Sequence, residues 1–155
     1  MRLSISGRID FPVLVESGAV ISIQDPGEGR PLELGGMSMP VLDLAFHDSE
    51  TDEDGLDVLP EVWHLDRVAC FLEKLPITAP DFPLHVHCYA GVSRSTAVAS
   101  FVLGWLNPKR SDAQIVQQVL TARPQAVPNR LILRHSDELL GRHLHRAWVD
   151  RAGRY

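Results

Sequence analysis

The stretch Leu84-His85-Val86-His87-Cys88-Tyr89-Ala90-Gly91-Val92-Ser93-Arg94-Ser95 decides the fold. Leu84–Cys88 follows a proline-punctuated segment (Pro76, Pro80, Pro83) and reads as a short buried strand. Five residues later, at Arg94, the pattern changes. Ala97, Val98, Ala99, Phe101, Val102, Leu103, Trp105 and Leu106 are apolar almost all round, which predicts a central, buried helix. Strand, tight loop and buried helix make a unit of an α/β layer fold.

Working outward, Leu3–Ile5, Val13–Val15 and Ala19–Ile23 are short, β-branched and strand-like. Pro26–Pro31 and Gly35-Gly36 are loop punctuation. Val41–Phe46 alternates poorly, yet its length and flanks favour a buried strand, and an acidic loop from His47 to Gly55 follows it. Glu61–Leu75 carries Val62, Leu65, Val68, Ala69 and Leu72 at helical spacing, with Pro60 suited to the first turn. Ser111-Asp112-Ala113-Gln114 has the form of a capping box ahead of Ile115, Val116, Val119 and Leu120, and Arg123-Pro124 stops that helix. Leu131–Leu140 is a further helix with Gly141 as its C-cap, and a short last one runs through Leu144–Val149. Strands come early and alternate with helices later. The expected architecture is α/β: a mixed, mostly parallel central sheet flanked by helices, in one domain over residues 1–155.

Composition narrows the function classes. The chain has 155 residues, 45% of them hydrophobic and 23% charged, so it can bury a core without disulfides or a metal. The net charge of -5 gives no bulk attraction for nucleic acid or anionic lipid, and neither is expected as a partner. Two cysteines are too few for a disulfide framework or a four-cysteine zinc site. No apolar run approaches a membrane span, and Met1–Gly7 lacks the features of a signal peptide. A cytoplasmic monomer is the expectation, since free thiols suit a reducing compartment.

The chemistry follows from the residue types in the loop. Tyr89, Ala90, Gly91, Val92 and Ser93 can turn their N–H groups inward as an anion-binding nest, and the helix that opens at Arg94 adds positive potential. Gly91 permits the positive φ that such a curl needs. Arg94 brings a planar fork able to grip two phosphate oxygens. The same field stabilises the thiolate of Cys88 and makes it a nucleophile. Ser95 can donate its hydroxyl toward the sulfur. The bland reading is a cysteine that merely ends a strand beside an arginine in a salt bridge.

The run His87–Thr96, His-Cys-Tyr-Ala-Gly-Val-Ser-Arg-Ser-Thr, resembles the signature of the cysteine-based protein tyrosine phosphatases, and of their dual-specificity branch in particular. Arg123-Pro124 with Pro128-Asn129 resembles a segment that those proteins carry between their last helices, and Asp48-Ser49 resembles their general-acid loop. The resemblance covers about Val41 to Gly141. It implies a mixed sheet flanked by helices and a two-step hydrolysis through phosphocysteine, with no metal or other cofactor. It assigns Cys88 as nucleophile, Arg94 as phosphate clamp, Asp48 as general acid and Ser95 as an aid to phosphocysteine breakdown.

A phosphate ester leaves poorly without a proton, so a carboxylic acid is required. Asp43, Asp48, Asp52, Asp54 and Asp57 are the candidates. Asp43 sits within the strand, Asp48 falls where the strand runs out, and the long acidic loop leaves Asp52 or Asp54 open as the acid. His87 has a supporting role in fixing the surroundings of the cysteine. Asn129 either braces the loop, as the resemblance implies, or caps a helix after Pro128. Cys70 reads as a core thiol.

Two metal readings compete. His85 and His87 share a strand face, and His143 and His145 form a second pair; together they could hold zinc, but no Cys-x-x-Cys accompanies them. Glu50–Glu61 nearly spells a calcium loop, yet a strand rather than a helix precedes it. Other function classes are a non-catalytic phosphate-binding module and a sulfurtransferase or arsenate reductase. The expected substrate is a phosphorylated protein or peptide. Tyr89–Ser93 adds no lysine or histidine, and seven acids lie between Asp43 and Asp57. That ranks phosphotyrosine first, phosphothreonine next and inositol polyphosphates last.

Overall fold

The computed structural model describes residues 1–12 and 18–152, and for Ala152 the backbone only. The strand expected at Val13–Val15 lies outside the described residues. Four strands form one sheet: β1 (Arg2–Ser6), β2 (Ala19–Gln24), β3 (Val41–Ala45) and β4 (Pro83–His87), in the order β1-β4-β2-β3. Five helices follow or interleave: α1 (Val62–Glu73), α2 (Arg94–Leu106), α3 (Asp112–Ala122), α4 (Arg130–Leu140) and α5 (Leu144–Ala152).

All three strand ladders are parallel. The expected sheet was mixed but mostly parallel; among the described residues it is parallel throughout. Parallel strands need crossover connections, and the segment that holds α1 carries the chain from β3 at one edge past β2 to β4.

The strands alternate cleanly between two faces. Leu42 and Leu44 of β3, Ile21 and Ile23 of β2, Leu84 and Val86 of β4, and Ile5 of β1 enter one continuous core. All five helices contribute to that core, through residues such as Leu65, Phe101, Ile115, Ile132 and Trp148. The opposite face carries Ser4, Ser6, Ser22, His85 and His87, and its apolar cover is Phe11, Val20 and Leu34 with Met37 and Met39. Among the described residues the five α-helices thus flank the first face. A loop and a single 3-10 turn (Leu32–Leu34) close the second face.

Local signals set the helix ends. Gln114 N donates to Ser111 Oγ (3.2 Å) and Ser111 N to Gln114 Oε1 (2.9 Å), the reciprocal capping box that starts α3. Gly141 takes the left-handed C-cap of α4 at φ +62°. Pro60 stays outside α1, whose N-cap is Glu61. The last helix runs past Val149 to Ala152, anchored by fully buried Trp148, whose Nε1 donates to Ser100 Oγ on α2 (3.1 Å). α2 is buried from Arg94 through Gly104, as its apolar composition requires. No helix among the described residues is long and apolar enough to cross a membrane.

Candidate active site

A parallel sheet sends the C-terminal ends of its strands to one edge, where ligands of open α/β sheets bind. The residues that follow each strand therefore converge: Gly7 after β1, Asp25 after β2, Phe46 to Asp48 after β3 and Cys88 after β4. A cleft of about 640 Å³ opens there, and its lining includes Asp25, His47, Asp48, Asp57, Cys88 and Arg94.

The loop between β4 and α2 is held by its carbonyls. Tyr89 O accepts from Arg8 N (2.8 Å), Ala90 O from Arg123 Nη2 (3.2 Å) and Gly91 O from Arg123 Nε (2.9 Å). Val92 O accepts from Val127 N (2.9 Å) and Ser93 O from Asn129 N (3.1 Å). With every carbonyl tied outward, Gly91 N donates to Cys88 Sγ (3.2 Å), and the N–H groups of Tyr89, Ala90, Val92 and Ser93 find no acceptor among the described residues. This is the expected nest. Gly91 has the positive φ of the curl, +71°. It is also pressed against the end of β1: a Cβ there would meet Gly7 N and Ser6 C, each at 2.5 Å. Gly7 is matched to it, since a Cβ at Gly7 would lie 2.6 Å from Tyr89 O. Two glycines thus let the loop pack flat on the strand end.

Cys88 is buried and its Sγ lies 3.1 Å from Ser95 Oγ. Arg94 is 4% exposed, at the first turn of α2. Its Nη1 donates to Asp25 Oδ1 (2.6 Å) and to Phe46 O (2.8 Å). Its Nε is buried with no partner among the described residues. A buried guanidinium N–H left unmet costs free energy unless a ligand takes it.

Asp48 reaches the same cleft. Its Oδ1 accepts from Ser93 Oγ (2.7 Å) and from Asn129 Nδ2 (3.0 Å). Asn129 performs both jobs left open by the sequence. Its Oδ1 caps α4 by accepting from Ile132 N (3.0 Å), while its amide nitrogen ties Asp48 to the loop. Of the other acids, Asp43 is engaged by Arg30 outside the cleft, and Asp52 accepts from Asp57 N on an exposed loop. Asp54 is exposed, and neither it nor Asp52 lines the cleft, whereas Asp57 does, accepting from Ser49 Oγ (2.6 Å).

The paired histidines are consumed by serines. His85 Nδ1 and Nε2 bond Ser4 Oγ (2.7 Å) and Ser6 Oγ (2.8 Å), and His87 Nε2 bonds Ser22 Oγ (2.7 Å). Phe11 sets its ring edge-on to both imidazoles, with centroids 5.1 Å apart. Burial, and then the neighbouring His87, push His85 down to about 4; burial lowers His87 too. His87 Nδ1 sits 3.3 Å from Cys88 O. In the acidic loop, Glu50 is occupied by Arg130 and Glu61 caps α1. Among the described residues no three His, Cys, Asp or Glu side chains gather in a metal-binding group. Cys70, read as a core thiol, is exposed on α1.

Two residues at the site, Asp25 and Asp10, escaped the sequence reading, as did the part that Arg123 plays there. Asp25 pairs with Arg94, and Arg123, itself held by Asp10 (2.6 Å), props the loop. Arg123 also holds the Asp10 carboxyl below the usual carboxylate range. Their signal is topological: Asp25 directly follows a strand of a parallel sheet, and Arg123-Pro124 ends the helix that precedes Asn129.

No family model and no curated protein matches the sequence. Solved structures do match. The structure of DUSP15 aligns over 99% of this chain and 92% of its own at a TM-score of 0.68 and 18% identity. A mouse putative dual specificity phosphatase complexed with zinc tungstate aligns over 97% of this chain and 86% of its own, at 0.62 and 19%. PTPMT1 in complex with PI(5)P aligns over 88% and 81%, at 0.57 and 20%. The chain has the fold of the dual-specificity phosphatases. The fold read from His87–Thr96 is therefore found, with its sheet parallel throughout the described residues.

Proposed function

We propose that residues 1–155 form a cysteine-dependent phosphatase domain that hydrolyses phosphate monoesters through a phosphocysteine. One observation carries this reading. A thiol accepts from Gly91 N at the centre of a loop whose N–H groups at Tyr89, Ala90, Val92 and Ser93 lack acceptors among the described residues, beside a buried arginine whose Nε has no partner among them. Those unmet donors suit a tetrahedral oxyanion seated on the sulfur.

Cys88 attacks phosphorus and the bond to the leaving oxygen breaks. Asp48 gives that oxygen its proton. Its Oδ1 accepts from Ser93 and Asn129, and Oδ2 has no donor among the described residues. Water then attacks the phosphocysteine, Asp48 takes its proton, and the P–S bond breaks to release inorganic phosphate. Ser95, 3.1 Å from the sulfur, donates to the departing thiolate. Arg94 grips two phosphoryl oxygens throughout.

The substrate in this reading is a phosphorylated protein or peptide, with phosphotyrosine ahead of phosphothreonine and inositol phosphates last. Arg94 is the sole arginine or lysine in the cleft lining, against Asp25, Asp48 and Asp57. Neighbouring Arg8, Arg123 and Arg130 are already engaged by Glu28, Asp10 and Glu50. A second phosphate would find no free cation in that lining. The structural neighbour PTPMT1 was solved with PI(5)P, so a phosphoinositide belongs in the comparison. Cys88→Ser should lose turnover of p-nitrophenyl phosphate while still binding tungstate, because the nest and Arg94 remain. Turnover by the serine variant comparable to the parent would overturn the reading.

A further inference from the structure

We propose that His47 is a positioning residue for Asp48: its imidazole clasps the two ends of the acidic loop together and so holds the carboxyl at the leaving oxygen. The proposal rests on the phosphatase reading of the cleft, with Asp48 as its acid. The segment from Phe46 to Glu61 is neither helix nor strand, so no regular ladder sets its path. A reciprocal pair of bonds closes it instead. His47 N donates to Val58 O (2.8 Å), and Val58 N donates to His47 Nδ1 (2.8 Å). One residue thus takes both backbone polar groups of the other, as a strand partner would. A ring nitrogen that accepts carries no proton, so the proton of this imidazole lies on Nε2. Asp57 Oδ1 stands 3.9 Å from Nδ1, beyond hydrogen-bond reach, which leaves Val58 as the partner of that nitrogen.

The two arms of the loop are held unequally. On the incoming arm, Asp48 Oδ1 accepts from Ser93 and Asn129, Ser49 O accepts from Asn129 Nδ2 (3.2 Å), and Glu50 pairs with Arg130. The outgoing arm is exposed from Thr51 to Val58 and is tied back by Ser49 Oγ on Asp57 Oδ2 (2.6 Å) and by His47. An exposed arm with few buried contacts opens locally at low cost. His47 stands at the neck, after the end of β3 and one residue before Asp48. Ser93 and Asn129 orient the carboxyl; the bond from Val58 to the ring fixes the backbone from which that carboxyl hangs. The His47 side chain is 32% exposed, so the clasp bears on local closure of the loop more than on the stability of the fold.

The test compares two esters through kcat/KM, which reports the steps up to departure of the leaving group. One is a phosphotyrosine peptide, whose leaving group needs a proton; the other is a fluorinated aryl phosphate, whose leaving group departs without one. His47→Ala should lower kcat/KM on the peptide about tenfold, the scale of one lost hydrogen bond. On the fluorinated ester, and in tungstate affinity by calorimetry, it should stay within about threefold of the parent, because neither draws on the acid. His47→Asn should return the peptide rate to within about threefold of the parent, since its Oδ1 falls where Nδ1 stood and accepts from Val58 N. His47→Gln, with its oxygen one bond further out, should not. Added to Asp48→Asn, His47→Ala should cost nothing more, because two changes that act through one group do not add. Equal losses on both esters, or a matching loss of tungstate affinity, would make His47 a structural part of the cleft and overturn the proposal. An unchanged peptide rate in His47→Ala would overturn it as well. If Asp48→Asn discriminates between the esters and His47→Ala does not, the clasp fails and the acid assignment stands. If Asp48→Asn does not discriminate, the acid assignment fails and takes the clasp with it.

Discussion

Two buried polar clusters adjoin at the end of β4, and they are built on opposite principles. Behind the strand, His85 and His87 meet Ser4, Ser6 and Ser22 at 2.7–2.8 Å, with Phe11 closing over them. One residue further on, Cys88 and Arg94 sit among the N–H groups of Tyr89, Ala90, Val92 and Ser93, which have no acceptor among the described residues, and the guanidinium Nε has no partner among them either. The first cluster has closed its hydrogen bonds internally, as buried polar groups in a stable interior do. The second has been left open at a cleft. The imidazoles look more like chemistry than a lone cysteine does, yet their satisfied state marks them as structure.

The largest break in that contrast comes from the open cluster. Arg94→Lys substitutes a point charge for the fork, and kcat on phosphotyrosine peptides should fall by about 10³-fold. A loss under tenfold in steady-state kinetics would mean that the phosphate lies elsewhere. Asp48→Asn should follow, at about 10²-fold on phosphotyrosine and much less on an ester whose leaving group needs no proton. Equal losses on both esters would shift the acid role to Asp57, the other loop acid in the cleft lining.

The closed cluster should respond through stability. The His85 imidazole stays neutral in the fold down to about pH 4, while in the unfolded chain it takes its proton near 6.5. The unfolded state thus binds the extra proton in that window. Stability is intact above pH 6.5 and declines as pH falls toward 4, by up to about 3 kcal/mol. Urea unfolding at pH 7 and pH 5 would show it, and His85→Asn should flatten the slope. A slope unchanged by that substitution would remove His85 as the source. The smallest effect expected is none at all: EDTA should leave turnover unchanged, because Arg94 and the loop N–H groups provide the positive field. Activity lost in EDTA and restored by zinc or calcium would contradict this.

Legibility from sequence tracked the range of the interaction. The turn at Gly91, the capping box at Ser111 and the Gly141 cap are local events, each within a few residues, and all were readable. So were Cys88, Arg94 and Ser95, which share one loop and helix start. Asp25 and the propping role of Arg123 were not, because they reach the loop only through strand order and helix packing. The sheet was expected to be mixed because strand direction is a property of crossovers, which leave no period in the sequence. Its helix-free face was hidden for the same reason: Ser22, His85 and His87 look like scattered polar interruptions until the register brings them together.

The central claim is that the open cluster exists to put phosphorus on Cys88, and the most direct measurement is rapid acid quench of the parent during turnover of a phosphotyrosine peptide. The account predicts a covalent phosphoryl group mapped by mass spectrometry to Cys88, more abundant in Asp48→Asn when the ester has a leaving group that needs no proton, so that only breakdown by activated water is slowed, and absent from Cys88→Ser. Steady turnover with no phosphoenzyme in either the parent or Asp48→Asn would contradict it.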